Sequence, residues 1–121
     1  MTKTVLTIDD SRTMRDMLLM ALEDAGYTVI QAVDGVDGLE TLAARGADVI
    51  ITDINMPRMD GFGVIEGVRA DPNHRTTPVL VLTTESDVEK KARARAAGAT
   101  GWMVKPFDPA KLIEVIGKVI R

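Results

Sequence analysis

Five times along this 121-residue chain a short apolar run gives way to a longer amphipathic one, and no other feature constrains the fold as much. The short runs are Val5-Leu6-Thr7-Ile8, Thr28-Val29-Ile30-Gln31-Ala32, Val49-Ile50-Ile51-Thr52, Val79-Leu80-Val81-Leu82 and Trp102-Met103-Val104. They are too short for helices, and most are unbroken apolar runs, as in strands buried on both faces. In the first long segment Met14, Met17, Leu18, Ala21, Leu22 and Ala25 recur at helical steps, with Ser11 as N-cap and Gly26 as the stop. Further helices are predicted over Val36 to Arg45 (closed by Gly46), Gly63 to Ala70, Val88 to Ala97, and Pro109 to about Ile120. The last is expected to bury Leu112, Val115, Ile116 and Val119. Residues 53–61 read as a loop, because Pro57 bars a regular helix and Asp60-Gly61 is a turn pair. Met17, Met20, Met56 and Met59 read as packing residues.

Strands alternating with helices build right-handed βαβ units and therefore a parallel sheet covered on both faces. The expected fold is α/β: a doubly wound, flavodoxin-like parallel sheet of five strands in the order 2-1-3-4-5, with five helices. Strand 2 is assigned to an edge because the other four strands end in polar residues and it does not.

Composition removes several functions. The chain has no Cys, which excludes disulfides, zinc ribbons, iron–sulfur clusters and thiol catalysis. A single His, His74, excludes His-rich metal sites. With 15 Lys+Arg against 18 Asp+Glu, the net charge of −3 is a poor match to nucleic acid. No apolar run approaches the roughly 18 residues of a membrane span. The N-terminus enters a strand directly, without a signal peptide's apolar region. The expectation is one soluble, cytoplasmic, monomeric domain over residues 1–121, without membrane insertion.

Ligands of such sheets bind beyond the carboxyl ends of the strands, near the point where strand order reverses. Strand 1 delivers Asp9 and Asp10 there, strand 3 Asp53, strand 4 Thr83 and strand 5 Lys105. Singly, each is an ordinary helix cap or rim residue. Together they pose an electrostatic problem, since two like charges about 4 Å apart repel by roughly 4 kcal/mol at an effective dielectric near 20. Lys105 is one positive charge against three negative ones, so a divalent ion is expected. Few hard oxygen ligands suit Mg2+. A metal held by carboxylates, with an ammonium and a hydroxyl nearby, is a phosphoryl-binding arrangement. No nucleotide loop of the G-x-x-x-x-G-K-[ST] type occurs, so the phosphoryl group is expected on another donor, with a carboxylate as acceptor.

Asp9-Asp10, Asp53 with Met56-Pro57-Arg58-Met59-Asp60-Gly61, Thr83-Thr84 and Lys105-Pro106-Phe107 resemble the receiver domain of two-component response regulators. Asp10-Ser11-Arg12-Thr13-Met14-Arg15 brings the resemblance closest to the stand-alone, CheY-like chemotaxis group. The resemblance implies phosphorylation of Asp53 by the phosphohistidine of a sensor histidine kinase of the CheA type. It implies Mg2+ held by Asp10, Asp53 and the main-chain carbonyl of Asn55, with Asp9 acting largely through water. Lys105 and Thr83 would contact the phosphoryl group, Trp102 would be the switch aromatic, and Asn55 and Glu85 would modulate dephosphorylation. The Lys105-Pro106 bond is expected to be cis. The output is a change in the helix 4–strand 5–helix 5 face that selects a flagellar motor switch protein or another phospho-dependent target. Two positions depart from the commonest pattern: Trp102 replaces Tyr or Phe, and Thr84 replaces Ala or Gly.

Such a protein is a phospho-acceptor with self-catalysed phosphorylation and dephosphorylation, not an enzyme acting on external substrates. A phosphate sink, or a regulator in another phosphorelay, would share all these residues. A Mg2+-dependent phosphatase with an aspartyl nucleophile fits less well, because that class carries D-x-D after its first strand and a cap domain for which the pattern leaves no residues. Lys90, Lys91, Arg93 and Arg95 give the fourth helix a basic face, either solvated or suited to an acidic partner.

Overall fold

The computed structural model describes residues 2–120. Its elements, in chain order, are β1 (Thr4–Ile8), α1 (Arg12–Asp24), β2 (Thr28–Ala32), α2 (Gly35–Arg45), β3 (Val49–Thr52), α3 (Gly61–Ala70), β4 (Val79–Thr83), α4 (Val88–Ala97), β5 (Gly101–Val104) and α5 (Pro109–Val119). All neighbouring strands pair in parallel, in the order β2-β1-β3-β4-β5. The predicted sheet is therefore the observed one. The central strands β3 and β4 are wholly buried, whereas β2 is partly exposed, as an edge strand should be.

Two aliphatic clusters flank the sheet. Leu6, Ile8, Ile50, Ile65 and Val68 lie in one, and Leu18, Leu22, Ile51, Leu112 and Ile116 in the other. Helix starts follow local chemistry: Ser11, Asp34, Asp60, Asp87 and Asp108 each accept a backbone N–H from the first turn. Gly98, at φ 115°, closes α4 in the left-handed conformation that glycine adopts without a Cβ penalty.

Four expectations need correction. α3 begins at Gly61 rather than Gly63, because Asp60 is an N-cap and not the corner of a turn. Met17 and Met20 are exposed (44% and 69%), because the buried line of α1 runs through Leu18 and Leu22 and leaves these side chains facing away from it. Ala25 follows the helix as its C-cap and is exposed, and in α5 only Leu112 and Ile116 are fully buried, with Val115 and Val119 half-buried.

α4 is attached differently from the other helices, since Ala94 is its one fully buried residue. Arg93 lies over the Phe62 ring, 3.9 Å from its centroid. Arg69 of α3 donates to the Gly98 carbonyl at the end of α4, and to the carbonyls of His74, Arg75 and Thr77. Burial lowers the pKa of this guanidinium, and the carbonyl dipoles meet its donors.

The Thr7 hydroxyl in β1 is fully buried and has no hydrogen-bond partner among the described residues. A buried hydroxyl without a partner costs roughly 1–3 kcal/mol. Thr7→Val keeps the shape and removes that cost, so the urea midpoint should rise by the equivalent of about 1 kcal/mol. A lower midpoint would show that the hydroxyl is satisfied.

Candidate functional site

The reversal of strand order between β1 and β3 builds the site. β1 continues into Asp9, whose N–H donates to Ala32 O (3.2 Å), and β3 into Asp53, whose N–H donates to Ile8 O (3.0 Å). The two carboxylates are thus set side by side on adjacent strands. β4 and β5 extend the same rim, with Lys105 N donating to Thr83 O at 2.8 Å.

Lys105 Nζ donates to Asp9 Oδ2 at 2.7 Å and to Asp53 Oδ2 at 2.8 Å. All three groups are largely buried, with side-chain exposures of 10% for Lys105, 3% for Asp9 and 10% for Asp53. The second Asp9 oxygen accepts from Ser11 N (2.9 Å), and the second Asp53 oxygen from Ile54 N (2.6 Å). Burial pushes the Asp9 carboxyl above its usual range, against the pull of the Lys105 and Ser11 hydrogen bonds. Burial alone would lower the Lys105 ammonium, but its hydrogen bonds to Asp53 and Asp9 outweigh that and raise it. The two shifts are compatible: one cation shared by two carboxylates is fully compensated itself, while each carboxylate is compensated only in part.

Asp10 points outward and is exposed, yet Asp9, Asp10 and Asp53 each offer an oxygen within 4.8 Å of the others. The donor set is thus compact enough for its members to share one small ion such as Mg2+. Its hard, all-oxygen chemistry agrees.

The remaining expected residues are less tightly gathered. Asn55 is exposed on the loop after Asp53. Thr83 is fully buried, and its hydroxyl accepts from Glu85 N (3.2 Å) rather than touching the carboxylates. Trp102 is half-buried and donates from Nε1 to Glu85 O (3.2 Å), while Lys90 Nζ holds the Glu85 carboxylate at 3.1 Å. The β4–α4 loop is therefore held by an indole and an ammonium. Thr84 is exposed. Of the basic residues on α4, Lys90 and Arg93 have intramolecular partners, and Lys91 and Arg95 line a groove of about 420 Å3 with Val88, Ala92 and Trp102. The Lys105-Pro106 peptide is cis, as expected.

Arg15 is a contributor that sequence reading missed: its Nη1 donates to the main-chain carbonyl of Asp9 at 2.7 Å. The signal was available, because a helix capped by Ser11 carries Arg15 one turn on, back over the end of β1.

Residues 5–117 match the model of the response regulator receiver domain. The chain belongs to the response regulator receiver family. This receiver is 38% identical over 118 residues to the chemotaxis protein CheY-3 of Vibrio cholerae, covering 97% of this chain and 91% of that protein. It is 34% identical over 117 residues to the DNA-binding dual master transcriptional regulator RpaA of Synechocystis, covering 97% of this chain but 48% of that protein. Among solved structures it superposes on V. cholerae CheY4 with a TM-score of 0.94 and 44% identity, covering 99% of this chain and 100% of that one. A response regulator from Chloroflexus aurantiacus gives 0.93 at 33% identity, covering 98% of each chain. The receiver is a CheY-like response regulator, and its near relatives support a role in chemotaxis signalling.

Proposed function

We propose that this receiver is a phospho-acceptor switch in which Asp53 takes a phosphoryl group from the phosphohistidine of a sensor kinase of the CheA type. The observation that carries this is the Lys105 ammonium bridging Asp9 and Asp53 at 2.7 and 2.8 Å, beside a third carboxylate with no other partner among the described residues. Transfer forms a bond between an Asp53 oxygen and phosphorus and breaks the P–N bond, whose electron pair stays on the departing imidazole. Lys105 is already within reach to neutralise the added charge. Asp10, Asp53 and the Asn55 main-chain carbonyl would hold Mg2+, with Asp9 acting through water. The bound ion supplies charge neutralisation for the phosphoryl oxygens.

Thr83 then turns its hydroxyl from Glu85 N toward the phosphoryl group. Because Trp102 and Lys90 hold the same residue, that turn reaches the α4–β5–α5 face. The groove there, with Lys91 and Arg95 at its edge, suits an acidic segment of the target, in chemotaxis a flagellar motor switch protein. Asn55 and Glu85 flank the acceptor and set the lifetime of the acyl phosphate. Both steps are self-catalysed. Service as a phosphate sink for a kinase uses the same chemistry without the target.

Incubation with Mg2+ and acetyl phosphate tests the reading. Intact-mass measurement should show one added phosphoryl group, stable in acid, labile in base and absent from Asp53→Ala. Label on another residue, or none, would sink the proposal. Steady turnover of unrelated phosphate esters would favour a phosphatase instead.

A further inference from the structure

Arg58, in the loop between β3 and α3, has a φ of 65°, the one left-handed non-glycine backbone among the described residues. Such strain persists only where the surroundings over-determine it. Here they do. Arg58 donates from Nε to Asp34 Oδ2 (2.8 Å) and from Nη2 to Asp34 Oδ1 (3.2 Å), a two-point fork. Asp34 is buried and also caps α2, accepting from Asp37 N at 2.8 Å. The Arg58 hydrogen bond, with help from Asp37 N, holds the Asp34 carboxyl below its usual range.

The next residue completes the attachment. A Cβ on Gly35, the first residue of α2, would lie 2.5 Å from Met59 O and 2.7 Å from Met59 Cβ. The α2 N-terminus is thus notched to receive the loop. At its other end the loop closes through Gly61 N to Ile54 O, 2.8 Å. Asn55 lies between these two anchors, directly after Asp53 and Ile54.

We propose that the Arg58–Asp34 fork is a positioning device for the metal: by fixing the β3–α3 loop against α2 it holds the Asn55 carbonyl ready and so sets the Mg2+ affinity of the site. The inference rests on the Mg2+ reading above and assigns a role to two residues that lie outside the acid cluster. Its contribution to stability is small, because the Arg58 side chain is 57% exposed. Its effect on binding follows from populations, since the apparent Kd rises by the inverse of the fraction of molecules whose loop is correctly placed.

Calorimetric titration with MgCl2 tests this on the wild type, Arg58→Gly, Asp34→Asn and the double variant. Glycine accepts the left-handed backbone, so Arg58→Gly should melt close to wild type. It should bind Mg2+ roughly 3- to 10-fold more weakly, the loss expected if the loop is correctly placed a tenth to a third of the time. At saturating Mg2+ the rate of phosphorylation by acetyl phosphate should return to the wild-type value, a split between affinity and rate that general destabilisation would not produce. Asp34→Asn keeps a capping oxygen and should weaken Mg2+ similarly, with the double variant no weaker than either single one. Wild-type affinity in Arg58→Gly, or additive losses in the double variant, would overturn the inference while leaving the Mg2+ site intact. Absence of binding by the wild type would overturn the Mg2+ reading itself.

Discussion

Lys105→Met should lower the unfolding free energy of the metal-free protein by about 3 kcal/mol or more at pH 7, the usual result of stripping the partner from buried charges. The reason is local. Asp9 and Asp53 keep their burial and lose the ammonium that both contact. With oxygens no more than 4.8 Å apart, two carboxylates repel by about 3 kcal/mol or more at an effective dielectric of 20. The pH dependence gives the claim a sign. The folded Asp9 carboxyl already lies above its unfolded value of 3.8, so the native state binds more protons there and stability falls as pH rises through that interval. Methionine removes the hydrogen bond and charge that hold Asp9 down, so the interval should extend upward. The stability deficit of the variant should therefore shrink as pH falls through the raised Asp9 value toward 3.8. Lys105 runs in the same direction in a higher window: its contribution is full below 10.5 and is lost as pH rises through its raised value. Urea unfolding in chelator, repeated across pH, measures both trends. On the Mg2+ reading, added MgCl2 should recover part of the loss. Equal stabilities at pH 7 in chelator would show that the ammonium is not what holds the carboxylates together.

Gly61→Ala should be nearly as damaging, for a steric reason. A Cβ there would lie 2.2 Å from the Asp53 carbonyl oxygen and 2.8 Å from Ile54 Cα, both main-chain atoms that cannot rotate away. Gly61 also ties the loop shut through its bond to Ile54 O, and begins α3. The chain must either open the start of α3 or push Asp53 off its place at the end of β3. The expected destabilisation is about 3 kcal/mol, the upper end for overpacking, with slower phosphorylation of whatever folds. Gly117→Ala is the control, since nothing lies within 4 Å of its added methyl group and alanine favours the helix. A Gly61→Ala protein that unfolds at the wild-type urea concentration would mean that the α3 start is looser than the contacts imply.

Much of the architecture was legible because its signals are local. Whether a run is strand or helix depends on the spacing of apolar residues within a few positions, and crossover handedness then restricts the sheet order. Asp9, Asp53, Thr83 and Lys105 could be assigned to one rim on the same grounds, because strand ends are local features. Met17 and Met20 show where this fails: the period is right, but which residues of a helix meet the sheet depends on its rotation, which distant packing sets.

From sequence alone came the alternation, the sheet order and the gathering of carboxylates at one rim. Tertiary structure decided which of those groups touch. Lys105 reaches its two carboxylates across sequence separations of 96 and 52, and Arg58 reaches Asp34 across 24. Trp102 engages Glu85 rather than open solvent alone, and Thr83 faces its own loop. Such pairings depend on how strands and loops pack against one another, at a resolution of about one ångström, and no periodicity within a dozen residues encodes distances of that kind.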